Sequence, residues 1–232
     1  MLMQKKRVKK DEVEDISYWL SIGDLMASIL IIFILLFVSK TIAANADLKK
    51  KEEIIEGFTS VKNKIIEKLK NEFEKENMKI DIDQQTGAIK IDDKILFNTN
   101  EYIIKQEGKE YLNKFVPVYV KILLKDEEIK KEISQIIIEG HTDDVGGYIS
   151  NMELSQKRAF EVIKYIYGEM EDFNGRKELE EYITANGRSK IKLIRNSLGE
   201  VDRAKSRRVE FQFKLREDEV LKRVSETIKD GI

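Results

Sequence analysis

Residues 16–39 read ISYWLSIGDLMASILIIFILLFVS, an apolar run of 24 residues with one charge, Asp24. At about 1.5 Å per residue, a helix of that length reaches roughly 36 Å, enough to cross a hydrocarbon core of about 30 Å. The pattern predicts one transmembrane helix over residues 16–42. Beyond it, Ile54, Phe58, Val61, Ile65, Leu69 and Phe73 recur every three or four residues among Lys and Glu. That period predicts an amphipathic linker helix over 43–77. Straight, it would extend roughly 45 Å, with Gly57 as a weak point. It reads either as a stalk or dimerising helix, or as a helix packed on the domain that follows.

From residue 78 the period alternates between two and 3.6. Residues 78–83 and 87–92 alternate apolar and polar around a turn, and predict two short strands. Residues 107–124 predict a helix that Pro117 could kink, 135–139 (QIIIE) a buried strand, and 150–167 a second helix. Ser150 and Glu153 have capping-box spacing at its start. Its buried face is predicted as Leu154, Ala159, Val162, Ile163 and Ile166. Residues 182–185 and 208–214 (RVEFQFK) predict two further strands. The order implies an α/β domain over 78–214, a mixed sheet with helices on one face. Residues 215–232 form a charged tail predicted to be helical.

Charged residues make up 37% of the 232, yet the net charge is −1. A nucleic-acid binder would show a basic excess. The chain has no Cys and one His, His141, which excludes disulfides, thiolate chemistry and a multi-histidine metal site. Lys5, Lys6, Arg7, Lys9 and Lys10 precede the apolar run and favour a cytoplasmic N-terminus 1–15, with the C-terminal domain outside. An alternative is a cleaved signal peptide ending at Ala44-Asn45-Ala46. That segment would be 46 residues long, well beyond the usual span of about 15–30.

Two places carry candidate chemistry. A carboxylate within a membrane helix costs about 2.5–3.5 kcal/mol on insertion scales, so Asp24 implies a function. Ser17, Ser21, Asp24 and Ser28 are spaced 4, 3 and 4 apart and share one helical face, a polar stripe suited to a partner helix or a hydrated ion path. The alternative is an Asp in headgroup water. The second place is Gly140-His141-Thr142-Asp143-Asp144-Val145-Gly146-Gly147, between a strand end and a helix start. Asp143 offers an acceptor for an ammonium group, and Arg158 a bidentate grip on a carboxylate. Together they suit a zwitterion, or else close on each other as an internal salt bridge. No nucleophile elbow accompanies His141, and three ligands within four residues, His141, Asp143 and Asp144, converge poorly on one ion. No enzyme activity, metal or cofactor is expected.

GHTDDVGGYISNMELSQKRAFEVIKYI, followed later by SRRVEFQF, resembles the signature of OmpA-like peptidoglycan-binding domains, over roughly residues 80–214. The resemblance implies that Asp143 and Arg158 hold the diaminopimelate of a wall peptide, with Thr142, Asn151, Leu154 and Arg208 shaping the pocket. Ser206 departs from the family's usual Asn, and residues 173–181 fit no part of its pattern. WLSIGDLMASILIIF resembles the membrane helix of MotB-like stator subunits, with Trp19 and Asp24 in the places of that family's aromatic and acid. The compact length and the absence of a Pro-rich tail are similar to the stator-like subunits of Zorya anti-phage systems. The resemblance implies a single-pass protein of the cytoplasmic membrane, a homodimer inside a ring of multi-helix MotA- or ZorA-like subunits. Protons or sodium ions would pass by way of Asp24, and residues 41–52 fall where stators carry a plug. The alternatives are a flagellar MotB-type stator and a passive membrane-to-wall tether.

Overall fold

The computed structural model describes residues 2–216; in its first helix, side chains are described for 18, 19, 22–49 and from 60 onward. The charged tail from 217 lies outside the described residues. The chain divides into two compact units, Met1–Gly57 and Phe58–Ile232, a boundary inside the predicted linker.

Helix α1 spans Leu2–Lys75 without interruption, Gly57 included. Its segment Ile22–Lys49 is long and apolar enough to cross a membrane and overlaps the predicted 16–42. The large apolar side chains from Leu25 to Val38 are 45–66% exposed. The last turns of α1 behave in the opposite way. Ile65, Leu69 and Phe73 are fully buried in the core of the second unit, and Val61 packs against it. This part of the predicted stripe is therefore core rather than stalk; Ile54 and Phe58 lie outside the described side chains.

The second unit is built on a five-stranded sheet of order β1-β2-β5-β3-β4. Strands β1 (Asp81–Ile82) and β2 (Ile89–Asp92) pair antiparallel. Asp83 Oδ1 closes their turn by accepting from the amides of Gln85 and Thr86 at 3.1 and 3.0 Å. Strand β3 (Ile133–His141) runs four residues beyond the QIIIE core of the prediction, two at each end. It pairs antiparallel with β5 (Arg208–Leu215) and parallel with β4 (Ile183–Gly187).

Helices α2 (Asp93–Leu96), α3 (Gln106–Leu124) and α4 (Glu127–Glu132) lie between β2 and β3; Pro117 sits inside α3. Asp126, unassigned in the sequence reading, caps α4 by accepting from Glu128 and Ile129. Helix α5 (Tyr148–Gly168) connects β3 to β4, followed by the single turns α6 (Arg176–Leu179) and α7 (Arg203–Ser206). The turn α6 occupies the stretch 173–181 that fitted no family pattern.

Alternation along β5 sorts the sheet into two faces. Val209, Phe211, Phe213 and Leu215 join Ile133, Ile136 and Ile138 of β3 in the core, where Phe115 and Tyr119 of α3 meet Phe211 edge-on. Arg208, Glu210 and Gln212 point the other way. Gly140 and Gly187, paired across β3 and β4, let α5 approach closely. A Cβ on Gly140 would fall 2.1 Å from the Ser155 carbonyl oxygen, and one on Gly187 2.6 Å from the Gln156 amide. That approach brings the face of α5 bearing Asn151, Ser155 and Arg158 against the ends of the strands.

Candidate functional site

In the first unit, Asp24 and Ser28 are exposed on the apolar helix. The Ser28 hydroxyl donates to the backbone oxygen of Asp24 at 2.9 Å, the back-bond of a serine one turn along. Its proton is thus held within its own helix, leaving the oxygen as an acceptor. The side chains of Ser17 and Ser21 lie outside the described residues. Tyr18 and Trp19 meet edge-on, centroids 6.2 Å apart.

In the second unit the loop after β3 is laced to its surroundings. Asp143 Oδ1 accepts from the Val145 amide at 3.0 Å, and Asn151 Nδ2 donates to the Val145 oxygen at 2.8 Å. Ser189 ties this loop to α5, taking the Thr142 amide on its carbonyl and donating its hydroxyl to the Tyr148 oxygen. The predicted capping box is absent. Helix α5 begins two residues earlier, after Gly147, and Ser150 donates to the Gly147 oxygen while Glu153 pairs with Lys157. With the start moved back, Ser150 lies inside the first turn and cannot cap it.

Asp143 and Arg158 do not pair with each other. Asp143 takes Arg207, and Arg158 takes Asp93. Arg158 is 2% exposed; its Nε donates to the Glu101 oxygen at 2.8 Å, and its guanidinium lies over the Phe97 ring at 5.1 Å. Its Nη1 is 2.9 Å from Asp93 Oδ1 but off the hydrogen-bonding direction, so the contact is ionic. Asp93, 4% exposed, opens α2, and its amide donates to the Arg207 oxygen. Burial lifts the Asp93 carboxyl to about 6, against the pull of Arg158 and Arg207.

The result is two acids and two arginines, contributed by four separate segments. Asp93 and Arg207 had no place in the sequence reading. The signal for Arg207 was present, because side chains alternate along a strand and only one of the Arg207-Arg208 pair can face the loop.

Arg208 is the one turned away, a correction to its predicted place in the pocket. Its Nε donates to Glu210 Oε1 at 2.6 Å, and its Nη1 to the Ser206 oxygen, on the far face of the sheet. There His141, 1% exposed, has Nε2 at 3.5 Å from Glu139 and 3.7 Å from Glu210. These three could offer ligand atoms to a metal ion. The Gln212 amide already bridges the two carboxylates at 3.0 and 2.6 Å, and Arg208, Arg188 and Lys192 approach them. Burial raises both carboxyls, but His141 and these cations outweigh it and hold both below the usual glutamate value. The set is neutralised from within and fits a structural role better than a metal.

Beside the four-residue cluster lies an open groove of about 440 Å³, lined among others by Asn100, Tyr102, Val145, Asn151, Leu154 and Lys157. Leu154 lies one turn before Arg158, and Asn100 and Tyr102 flank Glu101, whose carbonyl takes the guanidinium, so the groove adjoins the buried Arg158 without being lined by it. Lys157 lies over the Tyr102 ring at 5.3 Å. Of the predicted pocket residues, Asn151 and Leu154 line the groove. Thr142 is buried, with no partner for its hydroxyl among the described residues.

Residues 96–210 match the OmpA family. The chain is 28% identical over 222 residues to the Zorya protein ZorB of Escherichia coli (Crooks strain), covering 91% of this chain and 92% of that one. It is 27% identical over 154 residues to ZorB of a second Escherichia coli strain, covering 66% and 62% of the two chains. Among solved structures, a putative MotB-like protein from Desulfovibrio vulgaris shares its fold with a TM-score of 0.50 at 19% identity, over 70% of this chain and 94% of that one. Residues 96–210 thus form an OmpA-family domain, in a chain that shares its fold with a MotB-like protein and is similar to ZorB along nine-tenths of its length.

Proposed function

We propose that this chain is the wall-anchored subunit of an ion-driven membrane motor of the kind that serves anti-phage defence. A dimer of it would sit within a ring of multi-helix MotA- or ZorA-like subunits, N-terminus in the cytoplasm and OmpA-family domain beyond the membrane. Protons or sodium ions would load onto and leave Asp24. The groove beside Asp143 and Arg158 would hold the peptide of peptidoglycan and so keep the complex still. The observation that carries the reading is Asp24, an exposed carboxylate at the head of an apolar helix, in a chain similar to ZorB. An acid that costs several kcal/mol in lipid is retained only where something uses it.

Asp24→Asn keeps size and polarity and removes the charge cycle. Co-expressed with its ring partner, that variant should abolish ion flux measured in membrane vesicles, while binding to purified wall sacculi is unchanged. Undiminished flux would leave only a passive tether. Arg158→Ala should lose sacculus binding in co-sedimentation with flux capacity intact; retained binding removes the groove from the wall-binding role.

A further inference from the structure

Arg158, buried beside the groove, is already in contact with an acid of its own. Arg158 reaches Asp93 at 2.9 Å, and no other acid is within 4.0 Å of its guanidinium among the described residues. A ligand carboxylate that reaches Arg158 from the adjoining groove meets that ion pair, not a free guanidinium. Two carboxylates against one buried cation repel each other, so one is driven to neutrality. Asp93 is the one the fold prepares for this. It is buried, its contact with Arg158 is off the hydrogen-bonding direction, and its carboxyl already stands at about 6. The charged groups around it are Arg158 of α5, Arg207 before β5, Asp143 of the loop after β3, and the adjacent Asp92. Arg207 is itself paired with Asp143.

We propose that Asp93 is the internal counter-ion of the wall-binding groove: it positions Arg158 in the free protein, then yields it to the carboxylate of the wall peptide while taking one proton from solvent. This rests on the wall-binding reading above. It makes Asp93 a positioning residue and couples grip on the wall to proton uptake. Above the range where free Asp93 titrates, each bound carboxylate must bring a proton with it, so affinity falls as pH rises.

The test is calorimetric titration of the full chain in detergent with a soluble disaccharide-tripeptide containing diaminopimelate, in two buffers of different ionisation enthalpy. The expected result for the unmodified protein is uptake approaching one proton per ligand near pH 7, and a Kd that rises by up to about tenfold per pH unit between pH 6 and 8. Asp93→Asn should bind with no such uptake and a flat profile. The chain's one histidine, His141, faces Glu139 and Glu210 on the other side of the sheet, and the Asp93→Asn comparison separates its contribution. Binding that depends on Arg158 but takes up no proton overturns the inference while leaving the wall-binding reading intact. Binding indifferent to Arg158→Ala overturns that reading itself. If Asp93→Asn does not fold, the proton count of the unmodified protein decides alone.

Discussion

Leu35 and Phe73 lie on the same continuous helix, yet Leu35 is 63% exposed and Phe73 is fully buried. The two ends of α1 treat apolar side chains in opposite ways, and they treat acids in opposite ways too. Asp24 is exposed on an otherwise apolar surface, with no cation in contact among the described residues. Asp93 and Asp143 are buried, each against an arginine. The charges of these two acids are met by the second unit's own arginines, whereas the helix around Asp24 depends on what surrounds it. That contrast separates a fold from an interface, because a buried group's environment is set by the chain, and an exposed apolar surface must be completed by lipid or another protein.

Phe73→Ala probes the buried end. Removing a fully buried ring that stacks on Phe115 at 5.0 Å should destabilise the second unit by about 3–5 kcal/mol, read by urea unfolding of the full chain in detergent with tyrosine circular dichroism. A loss under about 1 kcal/mol would mean that the end of α1 is not part of that core.

A smaller effect is expected at the β1–β2 turn. The amides of Thr86 and Gln85, with Lys90, hold the Asp83 carboxyl down to about 2. A group whose folded pKa is depressed contributes stability that is present above its unfolded value of about 3.9 and lost as pH falls toward 2. Asp83→Asn should therefore cost about 1–2 kcal/mol at pH 7, discounted for partial exposure, and almost nothing at pH 2. An equal cost at both pH values would assign the effect to turn geometry rather than to charge.

The smallest expected change sharpens the comparison most. Leu35→Ala should alter the unfolding of the second unit by no more than about 0.5 kcal/mol. A cost rivalling that of Phe73→Ala would place Leu35 in a packed protein interface that unfolds together with the domain.

The strands, the long helices and the existence of two regions were legible in the sequence because each element carries its own period. The core role of Ile65, Leu69 and Phe73 was only half legible. An amphipathic stripe reports that a face is buried, not against what. The start of α5 was misplaced because Ser150 and Glu153 had capping spacing, and the chain entered the helix two residues sooner, at Tyr148. Within the groove, Asn151 and Leu154 followed from the resemblance to OmpA-like domains. Asp93 did not, because its acid comes from the far end of β2 and reaches Arg158 across 65 residues of chain.

Composition and spacing alone show that an apolar helix with one acid precedes an α/β domain, and they mark the loop after β3 as a candidate for chemistry. Those properties are local, written in composition and spacing. Which acid meets which base emerges only in the folded chain: Arg207 faces Asp143 while Arg208 turns to Glu210, and Arg158 pairs with Asp93. Pairing of that kind depends on where separate segments come together, and a linear pattern holds no record of it until the sheet has formed.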